Sequence, residues 1–291
     1  MEYTYLKFKY EKNNTKSIQS EASFLSNEIK KFSDETDKKE KSTITDLEAY
    51  IVVKERLRDA SESLRQSIEF SGKNETERAL RSLSYASERL TSAYSWSRFF
   101  GMKGKEFYID NQILRQSCQN KINEATERKQ YVELYIPSLD NIQRQIHQAS
   151  EELKNENYGL CLSIASKAQA DVDVILGIFG VEESQYGSIA ERKLEIARNN
   201  IARQSSKGIF PILGYSYYEY AASLKESDVL SSLLYSEYSL ELGNLDIYFK
   251  QKKKLPLPKI DSGKLGIFIS GFFAGIAVIL IISPFRKKNQ K

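Results

Sequence analysis

Side chains that commonly carry catalysis are few in this chain. His147 is the only histidine, and Cys118 and Cys161 are the only cysteines. A typical zinc site needs several cysteine and histidine ligands, more than these residues can supply. The phosphate-binding patterns GxxxxGKS/T and GxGxxG and the nucleophile pattern GxSxG do not occur. The sequence therefore predicts no catalytic residue, no metal site and no cofactor.

The two cysteines admit two interpretations. Cysteine is among the most buried residue types, which favours two apolar thiols in the core. The alternative is a single disulfide between Cys118 and Cys161. A disulfide persists only where the folded part of the chain lies in an oxidising compartment. The sequence leaves both interpretations open.

A tyrosine-rich segment, residues 208–249, is the strongest candidate for a binding surface. Tyrosine rings commonly pack inside helical hairpins with their hydroxyl groups near the surface, which is the first interpretation. The second is a partner-docking face, because stacked helical hairpins often bind extended polypeptides on a concave side. The candidate docking residues are Tyr215, Tyr218, Tyr235 and Tyr238.

Composition and periodicity indicate that helices position these residues. The 291 residues include only 14 glycines and 5 prolines, and 28% are charged. Apolar residues recur at spacings of three and four, for example from Ile18 to Phe32. We predict an all-α fold of stacked antiparallel helical hairpins. Their irregular spacing makes them a degenerate, tetratricopeptide-like array. One C-terminal transmembrane helix completes the prediction.

The chain divides into six predicted regions. The first is a polar segment with one helix and a short strand, the strand suggested by partial alternation from Tyr3 to Tyr10. Two helical hairpin regions follow, then a basic spacer with two prolines, the transmembrane helix and a basic tail. Their ranges are 1–43, 44–134, 135–249, 250–264, 265–285 and 286–291.

Residues 265–285, LGIFISGFFAGIAVILIISPF, carry no charged side chain and are followed by Arg-Lys-Lys. A helix of this length crosses a hydrocarbon core of about 30 Å. A helix buried in a soluble core rarely has apolar residues on all faces for five turns. The segment therefore predicts a single-pass membrane anchor, with the lipid bilayer as a partner.

The formal net charge is +4, and much of the basic excess flanks the predicted span. The rest of the chain is close to neutral, which argues against a nucleic-acid partner. The first residues lack the apolar core of a secretion signal. Two explanations therefore remain open: the protein is tail-anchored and cytoplasmic, or the sequence is a fragment of a longer chain.

The segment KGIFPILGYSYYEYAASL, followed by LLYSEYSLELGNLDIYF, resembles the C-terminal helical region of archaeal membrane-associated Lon-like serine proteases. The resemblance covers residues 185–285 and extends more weakly to residue 45. It implies helical hairpins and a C-terminal membrane anchor that accompany a proteolytic domain. No stretch of this chain matches the family's Ser–Lys catalytic motif, so no catalytic residue is carried over.

These observations favour a non-catalytic, membrane-anchored helical scaffold that tethers or assists a Lon-like protease domain or binds its substrates. One alternative is a tail-anchored, tetratricopeptide-like adaptor for protein–protein interaction. The other is a membrane-bound serine peptidase. Lysines in 250–264 slightly favour a cytoplasmic body by the positive-inside rule. The resemblance implies an extracytoplasmic body instead, and this is the orientation we predict.

The predicted span contains Gly271 and Gly275 in a GxxxG pattern, which lets two helices approach closely in lipid. We predict a homodimer formed through this helix. Gly271→Ile combined with Gly275→Ile should abolish self-association in a membrane two-hybrid assay while insertion is unchanged. Absence of self-association in the wild-type span would contradict the prediction.

Overall fold

The computed structural model describes residues 2–11, 15–136 and 138–252. Within these ranges the chain forms ten α-helices and one sheet of two very short strands. The helices are α1 Glu2–Glu11, α2 Thr15–Asp37, α3 Ile44–Gly72, α4 Thr76–Trp96, α5 Asn111–Glu133, α6 Asp140–Lys154, α7 Tyr158–Ile178, α8 Tyr186–Ser206, α9 Ile212–Leu224 and α10 Val229–Leu242. The strands are β1 Phe107–Tyr108 and β2 Lys250–Gln251.

Helix α3 is the longest element, with 29 residues and a length of about 43 Å. It begins with a capping box, in which the Thr43 hydroxyl accepts the N–H of Asp46 and the Asp46 carboxylate accepts the N–H of Thr43. The second oxygen of Asp46 accepts the N–H of Gly101 at 2.8 Å. The start of α3 is therefore fixed both locally and to a distant loop.

Two apolar clusters form the interior, and α3 contributes to both. The N-terminal cluster contains α1, α2, α4 and the C-terminal part of α3, including Leu57 and Leu64. The C-terminal cluster contains α5, α6, α7 and the N-terminal part of α3, including Leu47 and Ile51. Both clusters lie within one compact unit that extends to Lys252.

Helices α5 and α7 lie parallel, with α6 antiparallel beside them. Cys118 and Cys161, both near the starts of their helices, form a disulfide with Cα atoms 5.8 Å apart. Arg128 and Asp173, both near the opposite ends, form an ion pair. The disulfide interpretation of the two cysteines is the one that the structure shows.

The α9–α10 hairpin depends on a very close approach between two glycines. A Cβ atom on Gly214 would lie 2.6 Å from the Cα of Gly243 and 3.2 Å from the carbonyl oxygen of Ser239. The Ser239 hydroxyl donates to the carbonyl of Gly214 at 2.7 Å. Backbone therefore packs on backbone where the two helices cross.

Strand β2, at the end of the described chain, pairs with β1, which lies shortly before the start of α5. The pairing is antiparallel, with Phe107 opposite Gln251. The N–H of Lys252 then donates to the carbonyl of Glu106 at 2.8 Å. The first residues of the predicted spacer 250–264 are thus extended, and residues 253–264 lie outside the described ranges.

The predicted all-α class is confirmed for the described residues. The short strand predicted near Tyr3 is wrong, because Glu2–Glu11 is helical. The helix places Tyr5 and Phe8 on one buried face, whereas Tyr3 and Tyr10 are exposed. That spacing of three outweighs the partial alternation from which the strand was inferred.

Among residues 2–11, 15–136 and 138–252, no helix is both long enough and apolar enough to cross a membrane. The predicted span 265–285, including Gly271 and Gly275, lies outside these ranges, and so does the tail 286–291.

We predict that Gly214→Ala destabilises the protein by about 1–3 kcal/mol, because its methyl group would overlap the backbone of Gly243. The matched control is Gly187→Ala in α8, where an added Cβ meets no atom within 4 Å. Alanine favours helix, so the control should be neutral or slightly stabilising. Urea unfolding followed by circular dichroism measures both, and equal midpoints for the two variants would contradict the packing argument.

Candidate docking surface

Helices α9 and α10 bring four tyrosine rings together. The Tyr220 and Tyr235 ring centroids are 4.4 Å apart, and those of Tyr235 and Tyr238 are 5.7 Å apart. Tyr217 contacts both Tyr235, at 6.0 Å, and Tyr238, at 5.3 Å. The edge-to-face geometry of most of these pairs is typical of stable aromatic packing. We call these four residues the tyrosine cluster.

The predicted docking residues are divided by this arrangement. Tyr235 and Tyr238 belong to the tyrosine cluster, where both are partly buried. Tyr215 is exposed and contacts Phe210, with ring centroids 5.7 Å apart. Tyr218 is half-buried. The four residues therefore do not form a single exposed face.

Tyr238 takes part in a hydrogen-bonded network between α6, α7 and α10. Its hydroxyl donates to Asp171 at 2.7 Å, and the side-chain amide of Gln145 donates to the other oxygen of Asp171 at 2.8 Å. Burial, followed by the charge of Asp171, raises the pKa of Tyr238, so its hydroxyl remains a donor. Burial also raises the pKa of Asp171, while both donors act in the opposite direction.

The other side of the tyrosine cluster contacts a buried ion pair. Lys167 pairs with Glu55 of α3, and the ammonium of Lys167 lies 5.7 Å from the Tyr217 ring centroid. Burial is the largest single influence on the pKa of Glu55 and would raise it, but the charge and hydrogen bond of Lys167, together with the nearby arginines Arg56 and Arg58, outweigh burial and lower the pKa. These contacts indicate that Tyr217 and Tyr238 join α9 and α10 to the rest of the fold.

A different surface is exposed, apolar and continuous at the C-terminal ends of α5 and α7. Its members are Tyr131, Leu134, Tyr135 and Phe179, each more than half exposed at 54%, 75%, 57% and 53%. The rings form a row, with Tyr131 and Tyr135 centroids 5.8 Å apart and those of Tyr135 and Phe179 5.3 Å apart. We call these four residues the aromatic end patch. Contiguous exposed apolar patches commonly mark binding sites.

A groove of about 480 Å³ lies between the start of α6, the end of α7 and the start of α10. Phe179 of the aromatic end patch directly follows groove residue Ile178, so the two surfaces adjoin. Leu230 at the groove is 49% exposed. The apolar lining is formed by Leu139, Ile142, Val174, Ile175, Ile178, Leu230 and Leu234.

Acidic groups surround this apolar lining. Asp140 and Asp171 line the groove directly. Asp228 lies two residues before Leu230 and caps α10 by accepting the N–H of Ser231 at 3.0 Å. The groove thus combines an apolar wall with carboxylates, an arrangement that can hold an apolar segment carrying positive charges.

The groove and patch lie far from the end of the described chain. Lys252 is hydrogen-bonded to Glu106, close to the first residue of α5. The aromatic end patch starts in the last turn of that helix, at Tyr131, and continues past its last residue, about 30 Å or more along the helix axis. A partner bound there would be well separated from the point where the chain continues toward residue 253.

The described residues offer less support for other chemistries. His147 is exposed, with Nδ1 3.7 Å from Glu151. No group of three or more potential metal ligands occurs in the part of the chain that the structure describes. The Lys54 ammonium donates to the Ser33 hydroxyl at 2.8 Å. It also pairs with Asp37 at 2.9 Å, and this salt bridge occupies the amine that a Ser–Lys dyad would need as a base.

Sequence reasoning missed the groove because its walls come from three helices separated by long stretches of chain. A signal was present in YVELYIPSL (131–139) and ILGIFG (175–180), where large apolar residues continue past the helical stripes to the helix ends. Periodicity alone assigns such residues to a core, whereas the packing of the helices leaves Tyr131, Leu134, Tyr135 and Phe179 exposed.

Comparisons of this chain with protein-family models, with curated proteins and with solved structures find no match. The assignment of a docking surface rests on the contacts, exposure and charges described above.

Proposed function

We propose that this protein is a membrane-anchored helical scaffold that docks a polypeptide. The observation that carries the proposal is the groove between α6, α7 and α10, together with the adjoining aromatic end patch. Burial of one large apolar side chain contributes about 1.5–3 kcal/mol. Several such contacts exceed the cost of ordering a bound segment and suffice for micromolar affinity.

The partner that we propose is a protease domain of the Lon-like type or one of its polypeptide substrates. The resemblance of residues 185–285 to the region that accompanies such domains motivates this choice. In this arrangement the chain contributes attachment and positioning, whereas proteolysis belongs to the partner. The anchor would be the apolar segment 265–285, with a homodimer through Gly271 and Gly275.

The disulfide between Cys118 and Cys161 supports an extracytoplasmic body. It joins α5 to α7 inside the C-terminal cluster, and disulfides are rare in reducing cytosol. A cytoplasmic, tail-anchored adaptor is the competing proposal, and in it these two cysteines would be reduced. Hydrolysis of a fluorogenic peptide by the purified chain would instead favour the serine peptidase alternative.

For the orientation, we expect protease added to intact cells to digest residues 1–252, because an extracytoplasmic body is accessible from outside. Immunoblotting with an antibody against the body measures the loss. A cytoplasmic marker protein must survive the same treatment as a control. Complete protection of the body, followed by digestion after detergent permeabilisation, would assign the body to the cytoplasm.

For the docking surface, we expect Leu230→Ser combined with Phe179→Ser to weaken binding of a reduced, carboxymethylated unfolded protein by at least about tenfold. The double variant removes apolar area from the groove and from the aromatic end patch, which should cost roughly 1.5 kcal/mol or more. Fluorescence anisotropy with a labelled unfolded protein measures the affinity.

The matched control is Ile68→Ser combined with Phe24→Ser, on α3 and α2. These side chains are 48% and 58% exposed, close to the 49% of Leu230 and the 53% of Phe179. The control should bind like the wild type. Equal losses of affinity in both double variants would show that general surface hydrophobicity, rather than this groove, determines binding.

A further inference from the structure

We infer that the groove between α6, α7 and α10 selects an apolar polypeptide segment that carries lysine or arginine. This inference rests on the proposed function and specifies the chemistry of the partner. It combines the apolar lining with the carboxylates of Asp140, Asp171 and Asp228.

The charges at this end of the protein favour a positively charged partner. Arg128 pairs with Asp173, and Lys129 pairs with Glu133 at 2.6 Å, so both cations are already balanced by carboxylates. Asp140 and Asp228 are not among the described ion pairs. Arg144, one turn after Asp140, donates to the groove residue Asn141 at 3.3 Å, so one cation also lies beside the groove. The carboxylates of Asp140, Asp171 and Asp228 outnumber it, and complementary charge speeds association and excludes partners of the wrong sign.

Asp171 is held in one orientation by the protein itself. Tyr238 donates to one of its oxygens and Gln145 to the other. Each of these oxygens accepts one hydrogen bond, so both have lone-pair capacity for a further donor. The fixed carboxylate thus lies in the groove wall, where the ammonium or guanidinium of a bound segment can reach it.

A polypeptide fits these observations better than a membrane surface. Acidic side chains at the rim repel anionic lipid headgroups, which attract basic protein segments instead. A second copy of the chain brings the same acidic rim, so groove-to-groove pairing would place like charges together.

The test uses three labelled peptides with the same central apolar segment of eight leucines and alanines. Two lysines, two glutamates or two serines flank the segment at each end. We expect the lysine peptide to bind the wild-type protein about tenfold more tightly than the glutamate peptide at 50 mM salt. The difference should shrink at 500 mM salt, because exposed charges are screened.

Asp140→Asn combined with Asp228→Asn should remove most of the preference for lysine while the serine peptide binds as before. Asparagine retains the helix-capping ability of Asp228, so the fold should be preserved, and thermal unfolding checks this. The matched control is Asp34→Asn combined with Glu35→Gln on α2, which removes the same charge in the N-terminal part of the chain.

The outcomes separate the inference from the proposed function. Equal binding of all three peptides would overturn the charge selection and leave the docking groove intact. Binding of none of them would overturn both. If the wild type binds phosphatidylglycerol vesicles and the Leu230→Ser and Phe179→Ser variant does not, the groove binds lipid instead. If the wild type sediments as a dimer and this variant as a monomer, the groove binds a second copy of the chain.

Discussion

Two carboxylates at the start of α3 fix the framework on which the other elements depend. Asp46 completes the capping box of α3 and also accepts the N–H of Gly101. Glu48, two residues after Asp46, is fully buried and accepts the N–H of Leu213 at the start of α9. Burial raises the pKa of Glu48 well above its ordinary value, while the hydrogen bond from the N–H of Leu213 acts in the opposite direction. Because α3 contributes to both apolar clusters, these bonds fix both clusters against the same helix.

The disulfide and the groove lie at opposite ends of the α5–α7 pair, and this separation has a physical consequence. Cys118 and Cys161 join the two helices covalently near their starts. Near their ends, the pair is held by an exposed salt bridge and by ring contacts of the aromatic end patch. Exposed salt bridges contribute little to stability. The rigid end of the pair therefore supports the fold, while the other end leaves apolar surface available for a partner.

Helical periodicity predicted most of the fold because it reports burial on one face of each helix. In α2, the apolar residues that recur at spacings of three and four are all buried: Ile18, Ala22, Leu25, Ile29 and Phe32. Periodicity gave the wrong element for Tyr3 to Tyr10, because this short segment partly matches both the alternation of a strand and the spacing of a helix. It also could not locate the groove, because exposure at a helix end depends on which helices pack beside it and not on local spacing.

Polar contacts on α10 help to explain why the groove remains open. Ser232 donates to the carbonyl of Ala221 at 2.9 Å, so α10 packs closely on α9 through small side chains. Its other sides are held by ion pairs, Glu237 with Lys193 of α8 and Glu241 with Lys121 of α5 at 3.0 Å. Such pairs depend on geometry, and partly buried ones can specify the register of a helix. Since these contacts position α10, Leu230 in its first turn is not required for the core. Its apolar surface is left at the groove, where a bound segment can cover it.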